Sequence, residues 1–153
     1  MIDAVSLKIL KILQQKARIP NVEVARQVGM APSAVLERIR KLEKQGFIDG
    51  YEVRLNPKRF AKSLVAFTTV KLKKLAEEIN VGERLSRIPE VQEVHYVAGQ
   101  DAFLVKVRTA DTESLSRLTR DKIASIAAVQ STQTAIALST YKETARIQID
   151  KID

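Results

Sequence analysis

Between Pro32 and Gln45 the chain places Ser33, Glu37, Arg40, Lys41 and Lys44 so that, at 100° per residue, all five fall on one side of a helix. The chemistry open to such a face is electrostatic. A small, polar first turn with Ser33 and Ala34 can approach base edges, and the cations further along can meet phosphates. Covalent chemistry is poorly supplied: the chain has one histidine, His95, and no cysteine. It shows no Ser-His-Asp arrangement, no metal-ligand cluster and no glycine-rich phosphate loop. His95 reads as a packed or hydrogen-bonded strand residue, so neither catalytic residue nor metal nor cofactor is expected. A Lys-, Arg- and Glu-rich face also serves simply to solvate a helix, and its neighbours must decide between the two.

Opposite the cationic face, Val35, Ile39 and Leu42 recur at i, i+4 and i+7, one apolar stripe on a helix that Pro32 is well suited to start. Before it, Asp3 is placed to cap a first helix running to about Lys16, with Val5, Ile9, Ile12 and Leu13 on one side and Leu7 and Leu10 widening the stripe. Asn21 can cap a short helix, Val22 to Val28, ended by Gly29. A short helix, the turn Gly29-Met30-Ala31 and a longer cationic helix make a helix-turn-helix. After Gly46, the stretch Phe47 to Val53 reads as two short strands about Asp49-Gly50, a β-wing that carries Arg54 just beyond it. Leu55-Asn56-Pro57-Lys58 is the expected hinge.

Charge follows this division. Residues 1–60 hold 12 Lys and Arg against 6 Asp and Glu, and residues 61–153 hold 14 against 12, so most of the net +8 lies where a polyanion is expected to bind. The N-terminus lacks the basic and apolar regions of a signal peptide, no apolar run approaches a membrane span, and cysteine is absent; a cytoplasmic location is expected.

From Leu64 the periodicity changes. Leu64 to Lys73 alternates; Leu75, Ile79, Gly82, Leu85 and Ile88 follow helical spacing. Val91 to Ala98 and Ala102 to Thr109 read as strands joined by Gly99-Gln100-Asp101. Asp111 caps a helix with Leu115, Leu118, Ile123 and Ile126 inward, and Val129 to Ser139 is a last strand. The order βαββαβ is ferredoxin-like. Ile88-Pro89-Glu90-Val91-Gln92 and Ile126-Ala127-Ala128-Val129-Gln130 stand at equivalent junctions of its two halves. The fold class is therefore α+β, divided as a winged helix-turn-helix over 1–54, a hinge over 55–63, a ferredoxin-like domain over 64–140 and a tail over 141–153, in which Arg146 to Ile149 alternates like an edge strand.

This organisation resembles the Lrp/AsnC family of feast/famine transcriptional regulators over essentially the whole chain. The matching stretches include Val24-Ala25-Arg26-Gln27-Val28-Gly29, Ser33 through Glu43, Gly46-Phe47-Ile48-x-Gly50-Tyr51, Leu55-Asn56-Pro57, Pro89-Glu90-Val91, Gly99-x-Asp101 and Thr132-x-Thr134. The resemblance implies a homodimer assembling to a tetramer or octamer, and a small effector, usually an amino acid, bound between dimers around Gly99, Gln100, Asp101, Thr132 and Thr134. Gly99 lets backbone N–H groups approach a carboxylate, Asp101 can pair an ammonium group, and the two threonines present hydroxyls. On double-stranded DNA, Ser33, Ala34 and Glu37 are expected near base edges and Arg40, Lys41, Lys44 and Arg54 near phosphates; Arg38 sits nearer the packing stripe, where a structural ion pair competes with a DNA contact. The chain departs from the family pattern at three places. Ala31 replaces a frequent Ser N-cap, Ala61 the glycine usual after the hinge, and Ala127-Ala128 a usual Pro-Gly. Two other functions fit the same build: a ligand-independent DNA-organising or autoregulatory protein, and an enzyme like the tetrapyrrole decarboxylases that share it.

Overall fold

The computed structural model describes residues 2–150. They form two units, residues 2–54 with 143–150, and Leu55–Lys142. In the first, α1 (Ala4–Gln15), α2 (Asn21–Val28) and α3 (Pro32–Lys44) enclose a core of Ile9, Leu13, Val24, Ala25, Val35, Ile39 and Leu42. Asp3 caps α1, its carboxylate accepting from the Ser6 N–H at 2.7 Å. Asn21 does not act as a cap. It is the first residue of α2, whose opening N–H groups at Glu23 and Val24 bond the Pro20 carbonyl. Gly29, at φ 71°, closes α2 in a Schellman turn with Met30 N–H on the Ala25 carbonyl. Ala31 supplies no side-chain cap to α3, which starts on Pro32 as its composition requires. Gly46 then ends α3 by the same device, with Phe47 N–H on Leu42 O and Gly46 N–H on Glu43 O.

The expected wing is not formed: residues 47–56 hold no strand. A tight Asp-Gly hairpin needs positive φ at both turn residues, and neither Asp49 nor Gly50 has it. The segment is tied instead to α3, the Tyr51 hydroxyl donating to the Glu43 carboxylate at 2.8 Å. The tail adds no edge strand either. It returns to α1, where Gln14 exchanges two hydrogen bonds of 2.8 Å with the backbone of Ile147.

The second unit opens with a 3₁₀ turn, Pro57–Phe60, capped by Asn56 and ended by Ala61 in the left-handed region. A four-stranded antiparallel sheet follows: β1 (Leu64–Leu72), β2 (Val91–Val97), β3 (Ala102–Thr109) and β4 (Val129–Ile136), in the order β2-β3-β1-β4. Helices α4 (Glu78–Ser86) and α5 (Thr112–Arg117) cover one face, over a core that includes Ala66, Val70, Val81, Leu85, Phe103, Val105, Val107, Leu115 and Val129. The α4 phase differs from expectation. A 3₁₀ turn over Leu75–Glu77 precedes it and rotates the helix so that Val81 and Leu85 are buried while Leu75 and Ile79 are exposed. After α5 the chain widens into a π turn, Leu118–Ile123. Leu118 and Ile123, five residues apart, would diverge on an α-helix; the wider turn lets both reach the core with Leu115 and Ile126.

Ala61 has φ 50° and ψ 42°, a conformation that costs a residue with a Cβ about 1–2 kcal/mol. Ala61→Gly removes that cost and loses part of the gain to unfolded-chain entropy. It is expected to raise the melting temperature of the second unit by a few degrees in calorimetry; an unchanged or lower value would show that this backbone conformation is not held in solution.

Candidate nucleic-acid interface

The packed underside of α3 fixes what its other side presents. Val35, Ile39 and Leu42 are buried, and Ser33, Glu37, Arg40, Lys41 and Lys44 are all exposed. Ala34 is half-buried beside Ser33 at the start of the helix. The structure thus brings together on one face five of the eight residues expected at DNA, with Ala34 at its edge. Arg54 lies exposed on the extended segment after Tyr51, outside any wing.

Arg38 is placed differently. Its guanidinium bonds the Asp3 carboxylate at 2.5 Å and the Ser6 hydroxyl at 3.0 Å, fastening α3 to the start of α1. The Arg38 guanidinium and the Ser6 N–H beside Asp3 hold its carboxyl down at about 2. Asp3 therefore caps α1 and clasps α3 at once. A second clasp runs from Lys8 Nζ to the Gln27 carbonyl at 2.6 Å, joining α1 to α2. Sequence periodicity marks Asp3 as a cap and Arg38 as a stripe-edge cation, but carries no signal for their 35-residue pairing.

The residues expected at an effector are dispersed within one protomer. Gly99 (φ 86°) and Asp101 (φ 47°) both take left-handed conformations in the exposed turn between β2 and β3. Thr132 and Thr134 lie half-buried on β4, the opposite edge of the sheet. Three strand spacings separate β2 from β4, about 14 Å at the usual 4.8 Å per strand. The Thr134 hydroxyl is moreover engaged with that of Thr68 at 2.9 Å. A cleft of about 350 Å³ in the second unit uses none of these residues; Lys62, Arg117, Lys122 and Glu90 line it, and Lys122 bonds Glu90 at 2.7 and 2.9 Å.

His95 is exposed on β2, 3.3 Å from Glu93, which also accepts from Lys106. Among the described residues no group of three or more His, Cys, Asp or Glu could hold a metal ion, and no helix is long and apolar enough to cross a membrane.

Two family models match: a winged helix-turn-helix DNA-binding model over residues 2–49, and the Lrp/AsnC ligand binding domain over residues 65–147. The chain belongs to the Lrp/AsnC family. It is 33% identical over 150 residues to the leucine-responsive regulatory protein of Escherichia coli K12, covering 97% of this chain and 92% of that protein, and equally so to that of Klebsiella pneumoniae. Among solved structures it resembles E. coli AsnC (TM-score 0.87, 27% identity, 95% of this chain and 98% of that one). It also resembles a transcriptional regulator of Neisseria meningitidis in complex with L-methionine (TM-score 0.89, 28% identity, 97% of each chain). A third, the feast or famine regulatory protein of M. tuberculosis complexed with L-methionine, matches with TM-score 0.88 and 28% identity over 96% of this chain and 99% of that one. Relatives spanning nearly the whole chain are regulators by name, so this Lrp/AsnC chain is a transcriptional regulator with a helix-turn-helix DNA-binding unit, and not an enzyme.

A depressed carboxyl pKa stabilises the fold above the unfolded value of 3.8 and ceases to do so as pH falls through the folded value of about 2. Asp3→Asn keeps a capping side chain but abolishes the charge. It is expected to melt below wild type at pH 7, with the gap closing between about pH 4 and pH 2. A gap that is independent of pH would contradict the Asp3–Arg38 clasp.

Proposed function

We propose that this regulator binds DNA as a homodimer that sets two α3 helices into successive major grooves of a pseudo-palindromic site. Ser33, Ala34 and Glu37 meet base edges, and Arg40, Lys41, Lys44 and Arg54 neutralise phosphates, while Arg38 holds the helix in place from behind. The observation that carries this reading is the exposed, cationic outer side of α3 over its buried Val35-Ile39-Leu42 stripe. Protomers join through apolar surface that one chain leaves open: Phe67 and Leu104 on the uncovered sheet face are 39% and 37% exposed, and Tyr51, Val53 and Leu55 on the unpaired segment are more than half exposed. The dimers assemble further into a tetramer or octamer. The protein works in the cytoplasm without a cofactor, and its parts are the DNA-binding region 1–54, the hinge 55–63, the oligomerisation and effector domain 64–140 and the tail 141–153.

The effector in this reading is an amino acid; two relatives are solved in complex with L-methionine. Gly99, Gln100 and Asp101 lie in the turn joining edge strand β2 to β3, and Thr132 and Thr134 on the other edge strand, which supports a site whose two halves come from different protomers. An amino acid that fits only one arrangement of protomers shifts the population of assemblies, and with it the spacing of DNA sites they span together. The Thr134 hydroxyl, already paired with Thr68, favours a second reading in which DNA is organised without any ligand.

Replacing Arg40 and Lys41 together by Ala is expected to weaken binding to all DNA sequences and to flatten the dependence of log K on log salt by about one unit per lost contact. Unchanged affinity and slope would remove α3 from the interface. In thermal-shift measurements one or a few amino acids are expected to raise the melting temperature; no shift with any of the common amino acids would leave the ligand-independent reading.

A further inference from the structure

Tyr96 lies on the helix-covered face of β2, two residues before the turn that carries Gly99 and Asp101. Among the described residues its hydroxyl oxygen is the one buried side-chain polar atom without a hydrogen-bond partner. A buried hydroxyl left unpaired is costly and uncommon in a native fold. The ring cannot swing away to find a partner. It stands edge-on to Phe103 with centroids 5.1 Å apart, and Phe103 is backed by Gly82, where even a Cβ would lie 3.3 Å from the ring. Burial first, then the negative charges of Asp101 in the turn and Glu78 in the first turn of α4, push the Tyr96 phenol above its ordinary value. A neutral phenol in a field of negative charge is complementary to a cationic hydrogen-bond donor. The side that can yield to admit it is the turn: residues 98–101 are exposed, and Asp101 is held at φ 47°, a conformation with a cost of its own.

We infer that Tyr96 belongs to the effector site, its hydroxyl accepting a hydrogen bond from the α-ammonium group of a bound amino acid while Asp101 balances that charge. The inference rests on the reading of residues 99–101 as the effector loop. It gives the site a reason to take amino acids over acids that lack the amino group: only an ammonium donor both relieves the unpaired phenol and neutralises the carboxylates. It also ties affinity to stability, because a buried oxygen that gains its partner from the ligand contributes to binding at the expense of the fold.

Tyr96→Phe deletes the hydroxyl and keeps the ring against Phe103. Isothermal titration of the full chain with each common amino acid identifies the tightest ligand, which is then compared with its deaminated carboxylic acid on wild type and variant. The variant is expected to melt at or above the wild-type temperature and to bind the amino acid at least about 10-fold more weakly, with unchanged affinity for the deaminated acid. Opposite signs in stability and affinity are not produced by a residue that merely packs. Equal affinity of both proteins for the amino acid, or a variant several degrees less stable, would overturn the assignment of Tyr96 alone. Failure of the wild type to bind any amino acid would overturn the effector reading and this inference with it.

Discussion

The structure of the DNA-binding unit depends on a single constraint, the burial of Val35, Ile39 and Leu42 against Ile9, Leu13, Val24 and Ala25. A helix whose one apolar stripe is taken up by a core has no freedom to rotate, so the residues on its far side are exposed by necessity. Truncating a buried branched side chain of this kind costs roughly 2–5 kcal/mol, a large share of the 5–15 kcal/mol that stabilise a typical domain. Exposed ion pairs contribute little beside that. Packing therefore sets the orientation of α3, the Arg38 clasp refines how it meets the start of α1, and the Lys8 clasp fastens α1 to α2. The cations at Arg40, Lys41 and Lys44 are left to act outward.

Much of this was legible in the residues because local physics and tertiary packing agree. Proline at a helix start, glycine in the left-handed region at two helix ends and aspartate at two N-caps act where the sequence places them. The strand alternation of Leu64 to Lys73 and the sheet order β2-β3-β1-β4 follow the ferredoxin-like plan that the element order implies. What periodicity cannot carry is a local change of pitch. The 3₁₀ turn before α4 exposes Leu75 and Ile79 against expectation, and the π turn after α5 explains why Leu118 and Ile123 share a core despite an awkward spacing.

The wing fails to be legible for another reason. Asp49-Gly50 has the composition of a hairpin turn, yet hairpin formation depends on the company the strands keep, and two short strands alone are marginal. Tyr51 turning to Glu43 is the local alternative that prevails in a single chain. Gly99, Asp101, Thr132 and Thr134 carry suitable chemistry, and the sheet order places the turn of the first two and the strand of the last two on different sides of β1. The unpaired Tyr96 hydroxyl is invisible to any pattern, since it is defined by what does not surround it.

The central claim is that the outer side of α3 is the surface that meets DNA. Lysine acetylation of the free protein and of its complex with a DNA fragment selected from random sequence, read by mass spectrometry, measures this directly. Lys41 and Lys44 should lose reactivity in the complex while Lys71, Lys73 and Lys74 of the second unit keep theirs. Undiminished labelling of Lys41 and Lys44 in saturated complex, or protection confined to the second unit, would contradict the account.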